Sequence, residues 1–165
     1  MLVLLDRENI RIILVPHQPK QKAIESIIDN FDNFGIQLFS KRANLLNERV
    51  LVIDAIGYLA GLYHYAHCAY VGGSFRQGIH NVMEPAVFGI PVLYGQVHEN
   101  SYEAIEFSKG NGGFVVKNAA DIYAYMIRFW ENDDDRTLYG KKSEKFALRN
   151  TGATEKLISH WHHLV

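Results

Sequence analysis

A single cysteine, Cys68, excludes an internal disulfide, and its setting Ala66-His67-Cys68-Ala69-Tyr70-Val71 predicts a small buried hydrophobe rather than a redox centre. No stretch of about 18 consecutive apolar residues occurs, so no segment reads as a membrane-spanning helix. The opening Met1 to Leu5 is apolar, but Asp6, Arg7 and Glu8 break it before it reaches signal-peptide length. Charge of one sign is lacking too: 17 Lys and Arg against 18 Asp and Glu leave a formal net charge of −1. No electrostatic footprint therefore points to a nucleic acid or another polyanion. What is present is ordinary globular material, 165 residues at 48% hydrophobic, the size of one domain with its own core. That composition excludes a disordered or collagen-like chain, and the expectation is a soluble, cytoplasmic protein.

Short β-branched runs alternate with helical periodicity. Ile12 to Val15 reads as a parallel strand covered on both faces and ending at Pro16 and His17. Ala23, Ile24, Ile27, Ile28 and Phe31 follow at helical spacing until Gly35, and Ile36 to Phe39 gives a second strand. Val50 to Ile53 is a further strand, ending in Asp54-Ala55-Ile56-Gly57 and passing into a helical stretch from Tyr58 to about Ala66. Ala69 to Val71 is a short strand stopped by Gly72-Gly73. Asn81 to Phe88 reads as a helix closed by Gly89, and Pro91 to Tyr94 as a strand. Residues 101 to 109 make a helix, Phe114 to Val116 a last strand, and Asp121 caps a helix running to about Trp130. The tail from Arg136 onward reads as an amphipathic helix. The alternation predicts a Rossmann-like α/β fold, a parallel sheet with helices on both faces. No repeat, linker or low-complexity tract divides the chain.

In such sheets ligands bind outside the carboxyl ends of the strands. That singles out Pro16 and His17, Asp54 to Gly57, Gly72 to Asn81, and Gly95 to Glu103. Gly72-Gly73-Ser74-Phe75-Arg76-Gln77-Gly78-Ile79-His80-Asn81 is the densest of these. Three glycines permit close backbone approach, Ser, His and Asn supply hydrogen-bonding groups, and the strand-to-helix junction offers N–H groups to a phosphate. It is neither a G-x-G-x-x-G fingerprint nor a P-loop ending in Gly-Lys-Ser/Thr. Ser74 also lacks the Gly-x-Ser-x-Gly elbow of a serine hydrolase. A plain glycine-rich turn is the competing reading. Glu84, three residues beyond Asn81, either reaches a ribose hydroxyl beside the phosphate or serves as a first-turn acid that complements the helix dipole. Pro85 fits the first turn of that helix.

Gly72-Gly73-Ser74-Phe75, Gly78-Ile79-His80-Asn81, Glu84-Pro85-Ala86, Gly89 to Gly95, and Asn100 with Glu103 together resemble one family. It is that of the 3-deoxy-D-manno-octulosonic acid (Kdo) transferases of lipopolysaccharide synthesis, and the likeness runs from about Ile12 to Val116. The Gly-Gly-Ser-Phe and Gly-x-His-Asn combination is more specific than the Glu-Pro-x-x-x-Gly-x-Pro pattern common to many GT-B glycosyltransferases. The resemblance implies the C-terminal half of a GT-B enzyme: residues 1–165 as one Rossmann-like domain binding the donor substrate CMP-Kdo, with no cofactor and with the N-terminal acceptor domain absent.

It further implies that Gly72, Gly73, Ser74, Gly78, His80 and Asn81 surround the CMP phosphate. Glu84, Asn100 and Pro16 would lie near the ribose and base, and Gly57 would be the strand-end glycine by the nucleotide. The complete enzyme would transfer Kdo to lipid A precursor at the cytoplasmic face of the inner membrane, using a general base from its other domain. The sequence departs from the family pattern at His17, where many members carry Arg, and at Ala55, Tyr58 and Gln96, where Thr, Glu and Pro are common. A GT-B transferase or epimerase using a UDP-sugar and a non-catalytic interaction module are the alternatives.

Other signals point to bland roles. His160, His162 and His163 beside Trp161 have no cysteine or carboxylate set to complete a metal site. His64 and His67, three apart on or just after a helix, read as a pair with one side packed and one side wet rather than as metal ligands. Tyr123, Tyr125, Phe129 and Trp130 read as core, and Asp133 to Asp135 as a solvated turn between helices.

Overall fold

The computed structural model describes residues 4–5, 9–41, 48–75 and 78–150. The chain forms two compact units, Met1–Leu62 and Tyr63–Val165. The stretch from 151 to 165, with the histidines at 160, 162 and 163, lies outside the described residues, as do Arg76 and Gln77.

In the first unit the strands β1 (Ile12–Leu14), β2 (Ile36–Leu38) and β3 (Val50–Val52) form a parallel sheet in the order β1-β3-β2. Val50 pairs with both Ile12 and Ile36. The helix α1 (Gln21–Phe31) covers one face. Its Ile24, Ile27, Ile28 and Phe31, on one stripe because 3.6 residues make a turn, pack with Val50, Val52, Ile12, Leu14, Ile36 and Leu38. The double cover expected for the first strand is corrected: β1 ends the order of its sheet and its three residues are half-buried, whereas the central β3 buries Val50 and Val52 completely. The helix expected from Tyr58 is α2 (Leu59–Leu62), continued as a 3-10 turn over Tyr63–Tyr65.

In the second unit β4 (Ala69–Val71), β5 (Val92–Gly95) and β6 (Gly113–Val116) form a parallel sheet in chain order. Side chains alternate across it with the period of two that a strand imposes. Val71, Val92 and Tyr94 pack on one face with Val82 and Ala86 of the α3 region (Met83–Val87), Ala104 and Phe107 of α4 (Tyr102–Ser108), and Phe146 and Ala147 of α6 (Asp133–Arg149). Leu93, Phe114 and Val116 pack on the other face with Ile122, Tyr125, Met126 and Phe129 of α5 (Ala119–Glu131). Helices thus cover both faces of this sheet, as the sequence pattern predicts. Cys68 joins the second face as a packing group.

Helix starts correct two expectations. Asn118, not Asp121, caps α5: its side chain accepts from the Asp121 N–H at 3.0 Å, while the Asp121 carboxylate reaches back to the Lys117 N–H at 2.8 Å. The two residues satisfy opposite ends of the same turn, so an acid three positions inside a helix is easily mistaken for its cap. Asp133 to Asp135 are not a turn but the first turn of α6, where acids complement the helix dipole. The junction is Asn132, whose N–H donates to Arg128 O and whose side chain accepts from the Asp135 N–H. No helix among the described residues is long and apolar enough to cross a membrane.

Candidate functional site

Parallel pairing puts all strand carboxyl ends of a sheet on one edge, and the candidate residues follow those ends. In the first unit, half-buried Pro16 and exposed His17 follow β1, and exposed Gly57 lies beyond β3 in a left-handed conformation at φ +96°. Asp54, just past β3, accepts from the Ser40 hydroxyl at 2.5 Å and from the Ser40 N–H at 2.9 Å, fastening the ends of β2 and β3 together. Partial burial pulls the Asp54 carboxyl up, but the bonds from Ser40 outweigh it and hold the group below the usual carboxylate range.

The second unit brings the loop residues together. Its first strand, β4, ends at Val71, and the loop leaves through Gly72 and Gly73. Ser74 turns back into the protein and is fully buried. Its hydroxyl donates to Val71 O at 3.3 Å and accepts from the Gly95 N–H at 2.6 Å, while its carbonyl accepts from the Val97 N–H at 2.8 Å. A side chain on Gly95 would meet that carbonyl at 2.6 Å, so the end of β5 must be glycine for Ser74 to dock. The hydroxyl that the resemblance places at a phosphate is therefore committed to the fold, as is the carbonyl.

Gly73 and Gly78 stand at φ +88° and +94°, a region that residues with a Cβ rarely adopt. The two arms run close: a Cβ on Gly73 would lie 2.7 Å from Gly78 O and about as near the His80 ring. Asn100, in the β5-to-α4 connection, accepts from the Ile79 N–H through Oδ1 at 3.1 Å, and its Nδ2 donates to Ile79 O at 3.4 Å. Exposed Asn81 accepts from the Met83 N–H at 2.9 Å, and exposed Glu84 stands in the first turn of α3. The helix begins two residues later than expected because Asn81 makes this turn outside it.

Beside this arm lies an open hollow of about 350 Å³, lined by Ile79, His80, Asn81, Val82, Met83, Asn100, Ser101 and Glu103. Gly95 and Ser101 lie in the stretch Gly95 to Glu103 singled out from sequence, but neither was given a role toward the nucleotide. Ser101 caps α4 by accepting from the Ala104 N–H at 3.2 Å, and serine ahead of a helical stretch was the available signal. Tyr94 anchors the same region from beneath, its hydroxyl donating to Ala104 O at 2.7 Å in a fully buried position that drives its phenol well above the ordinary range. Burial, together with the Glu84 charge, pushes the Tyr63 phenol up to about 12. Among the described residues no group of three His, Cys, Asp or Glu side chains could hold a metal ion. His64 packs edge-on against Phe88, 4.6 Å between ring centres.

No family model matches the chain. Curated relatives do. It is 29% identical over 143 residues to the 3-deoxy-D-manno-octulosonic acid transferase of Chlamydophila psittaci, covering 85% of this chain and 33% of the relative. It is 35% identical over 117 residues to the 3-deoxy-D-manno-octulosonic acid transferase of Aquifex aeolicus, covering 69% of this chain and 32% of the relative. The chain therefore spans about a third of the length of these relatives. Among solved structures, the C-terminal CMP-Kdo binding domain of WaaA from Acinetobacter baumannii superposes with a TM-score of 0.78 at 21% identity, over 87% of this chain and 77% of that one. With the glycine loop held at the carboxyl edge of its sheet, the chain has the α/β fold of that C-terminal domain and is, by sequence, a relative of the 3-deoxy-D-manno-octulosonic acid transferases across about a third of their length.

Proposed function

We propose that the chain is the donor-binding part of a glycosyltransferase that moves Kdo from CMP-Kdo to lipid A precursor. The carrying observation is the loop from Gly72 to Asn81. It leaves the carboxyl end of β4, takes two left-handed glycine turns, is tied at Ser74 and Ile79, and opens onto the hollow by His80 and Asn81. Relatives in sequence bear the transferase name, and the solved domain of this fold is described as binding CMP-Kdo.

In this reading Gly72, Gly73, Gly78, His80 and Asn81 surround the phosphate of CMP, and the fully buried Ser74 anchors the loop that carries them. Glu84, in the first turn of α3, serves the ribose. In transfer, an acceptor hydroxyl attacks the anomeric carbon from the face opposite the phosphate. The bond from that carbon to the phosphate oxygen breaks, CMP leaves with the electron pair, and the hydroxyl proton passes to a general base. Preorganised N–H groups of the loop stabilise the charge that develops on the departing phosphate. The base and the acceptor site belong to the N-terminal domain of the complete enzyme, whose substrate at the inner membrane's cytoplasmic face is a lipid. This chain by itself binds CMP and transfers nothing.

An amide chemical-shift titration with CMP, UMP, UDP and AMP at matched ionic strength tests the reading. Shifts centred on Gly72, Gly73, Gly78 and His80 and selective for CMP support it. Preference for UDP moves the chain to a UDP-sugar transferase or epimerase, and a folded chain that responds to none is an interaction module. Transfer of Kdo by the purified 165-residue chain would overturn the division of labour between domains.

A further inference from the structure

Ile79 is gripped from two directions. Its side chain is 8% exposed and packs into the core that includes Val82 and Ala86, while its peptide meets the Asn100 carboxamide on both edges. The shorter contact is the one that Asn100 Oδ1 accepts, at 3.1 Å, with the Nδ2 donation at 3.4 Å the weaker partner. Gly78, one residue earlier, lies against the same group, since a Cβ there would stand 2.8 Å from Asn100 Oδ1. The other arm of the loop is fastened through Ser74 to Gly95 and Val97. Both arms are thus held by one stretch of chain, Gly95 to Asn100, and the gripped peptide directly precedes His80 and Asn81. A carboxamide that accepts from an N–H and donates to the carbonyl of the same residue has only one workable orientation.

We propose that Asn100 is a positioning residue: it holds the Ile79 peptide so that Gly78 to Asn81 keep the form that receives the nucleotide, and it does not itself touch the nucleotide. This rests on the nucleotide reading above. It parts from a contact role near ribose or base in what a substitution does before any ligand is added.

The test uses the full chain as wild type, Asn100→Ala, Asn100→Leu and Asn100→Asp. Amide hydrogen exchange is followed first without ligand, with buried Leu93 of β5 as the internal reference for global opening. Asn100→Ala is expected to speed Ile79 exchange about tenfold with Leu93 unchanged, the effect of one lost hydrogen bond. Asn100→Asp keeps the acceptor and is expected to leave Ile79 within about threefold of wild type. Asn100→Leu preserves volume and repeats the measurement should alanine loosen Leu93 as well. CMP and UMP are then titrated into the variants that lose the bond. Both affinities are expected to fall by the same factor, about tenfold, leaving their ratio as in wild type.

Unchanged Ile79 exchange in Asn100→Ala overturns the proposal. So does weakened binding with an undisturbed Ile79, or a loss confined to CMP, since each marks a direct contact. A wild-type chain that binds neither nucleotide overturns the nucleotide reading instead. Ile79 exchange, read without ligand, then still supports or overturns the anchoring by itself.

Discussion

Ser74 shows how a residue typical of a binding loop becomes part of the scaffold. Its hydroxyl is fully buried and satisfies the Gly95 N–H at 2.6 Å, so Ser74→Ala leaves that donor without a partner. The expected cost is about 1–3 kcal/mol, read as a lowered urea midpoint at unchanged slope. Gly95→Ala should cost more, because its Cβ would meet the Ser74 carbonyl, a backbone atom that cannot swing aside. Cys68 makes a second case. Burial outweighs the pull of Arg136 and pushes its thiol from 9.0 up to about 12. The folded state therefore keeps a proton that the unfolded chain gives up, and stability present below pH 9 is lost as pH rises from 9 toward 12. Tyr63, raised from 10.0 to about 12, adds to the fall from pH 10 upward. Urea midpoints taken at pH 7, 9 and about 10.5 should show a decline, and Cys68→Ala should remove its earliest part. Iodoacetamide should leave the folded thiol unmodified at neutral pH, since the thiolate is the reactive form. At this scale the sequence was a fair guide to Cys68, which packs against the core but is only partly buried. It was a poor one to Ser74, whose partners include Gly95 and Val97 from the far end of the neighbouring strand.

Elements were legible wherever local chemistry decides them. The stripe on α1, the β-branched strands and the stop at Gly89, which sits at φ +67°, all follow from residues within a turn or two. Boundaries failed where two residues compete for one role, as Asn118 and Asp121 do at the start of α5. Asn118→Ala should cost about 1 kcal/mol and Asn118→Ser much less, because serine keeps an acceptor for the Asp121 N–H. Asn132 closes α5 and opens α6, so Asn132→Ala should cost a similar amount, about 1 kcal/mol. The neighbouring Arg128–Asp135 contact, at 2.6 Å, is exposed and screened by salt. Arg128→Ala is therefore expected to change the midpoint by less than Asn132→Ala, and that order is the check.

For the whole molecule, a ligand that binds the folded chain alone must stabilise it. CMP at about a hundred times its dissociation constant should add about 2.7 kcal/mol, seen as a melting temperature that climbs with CMP concentration. UDP at the same concentration should add less, and equal effects from all nucleotides would speak for general phosphate affinity. What the sequence determined by itself is the class of fold, through the alternation of strand and helix periods, and the candidate loop. Glycine and the Gly-x-His-Asn run carry their conformational freedom and hydrogen-bonding chemistry in the residues themselves. What only the tertiary structure decided is what those residues spend their groups on. The Ser74 hydroxyl and the Asn100 carboxamide look like ligand contacts in the sequence, yet both are bonded to backbone that folding brings from about twenty positions away. The buried Ser74 hydroxyl must be paired, and the exposed Asn100 carboxamide is bonded because the loop lies beside it. Which partner each finds depends on the packing of β4, β5 and the start of α4, which local residue patterns do not encode.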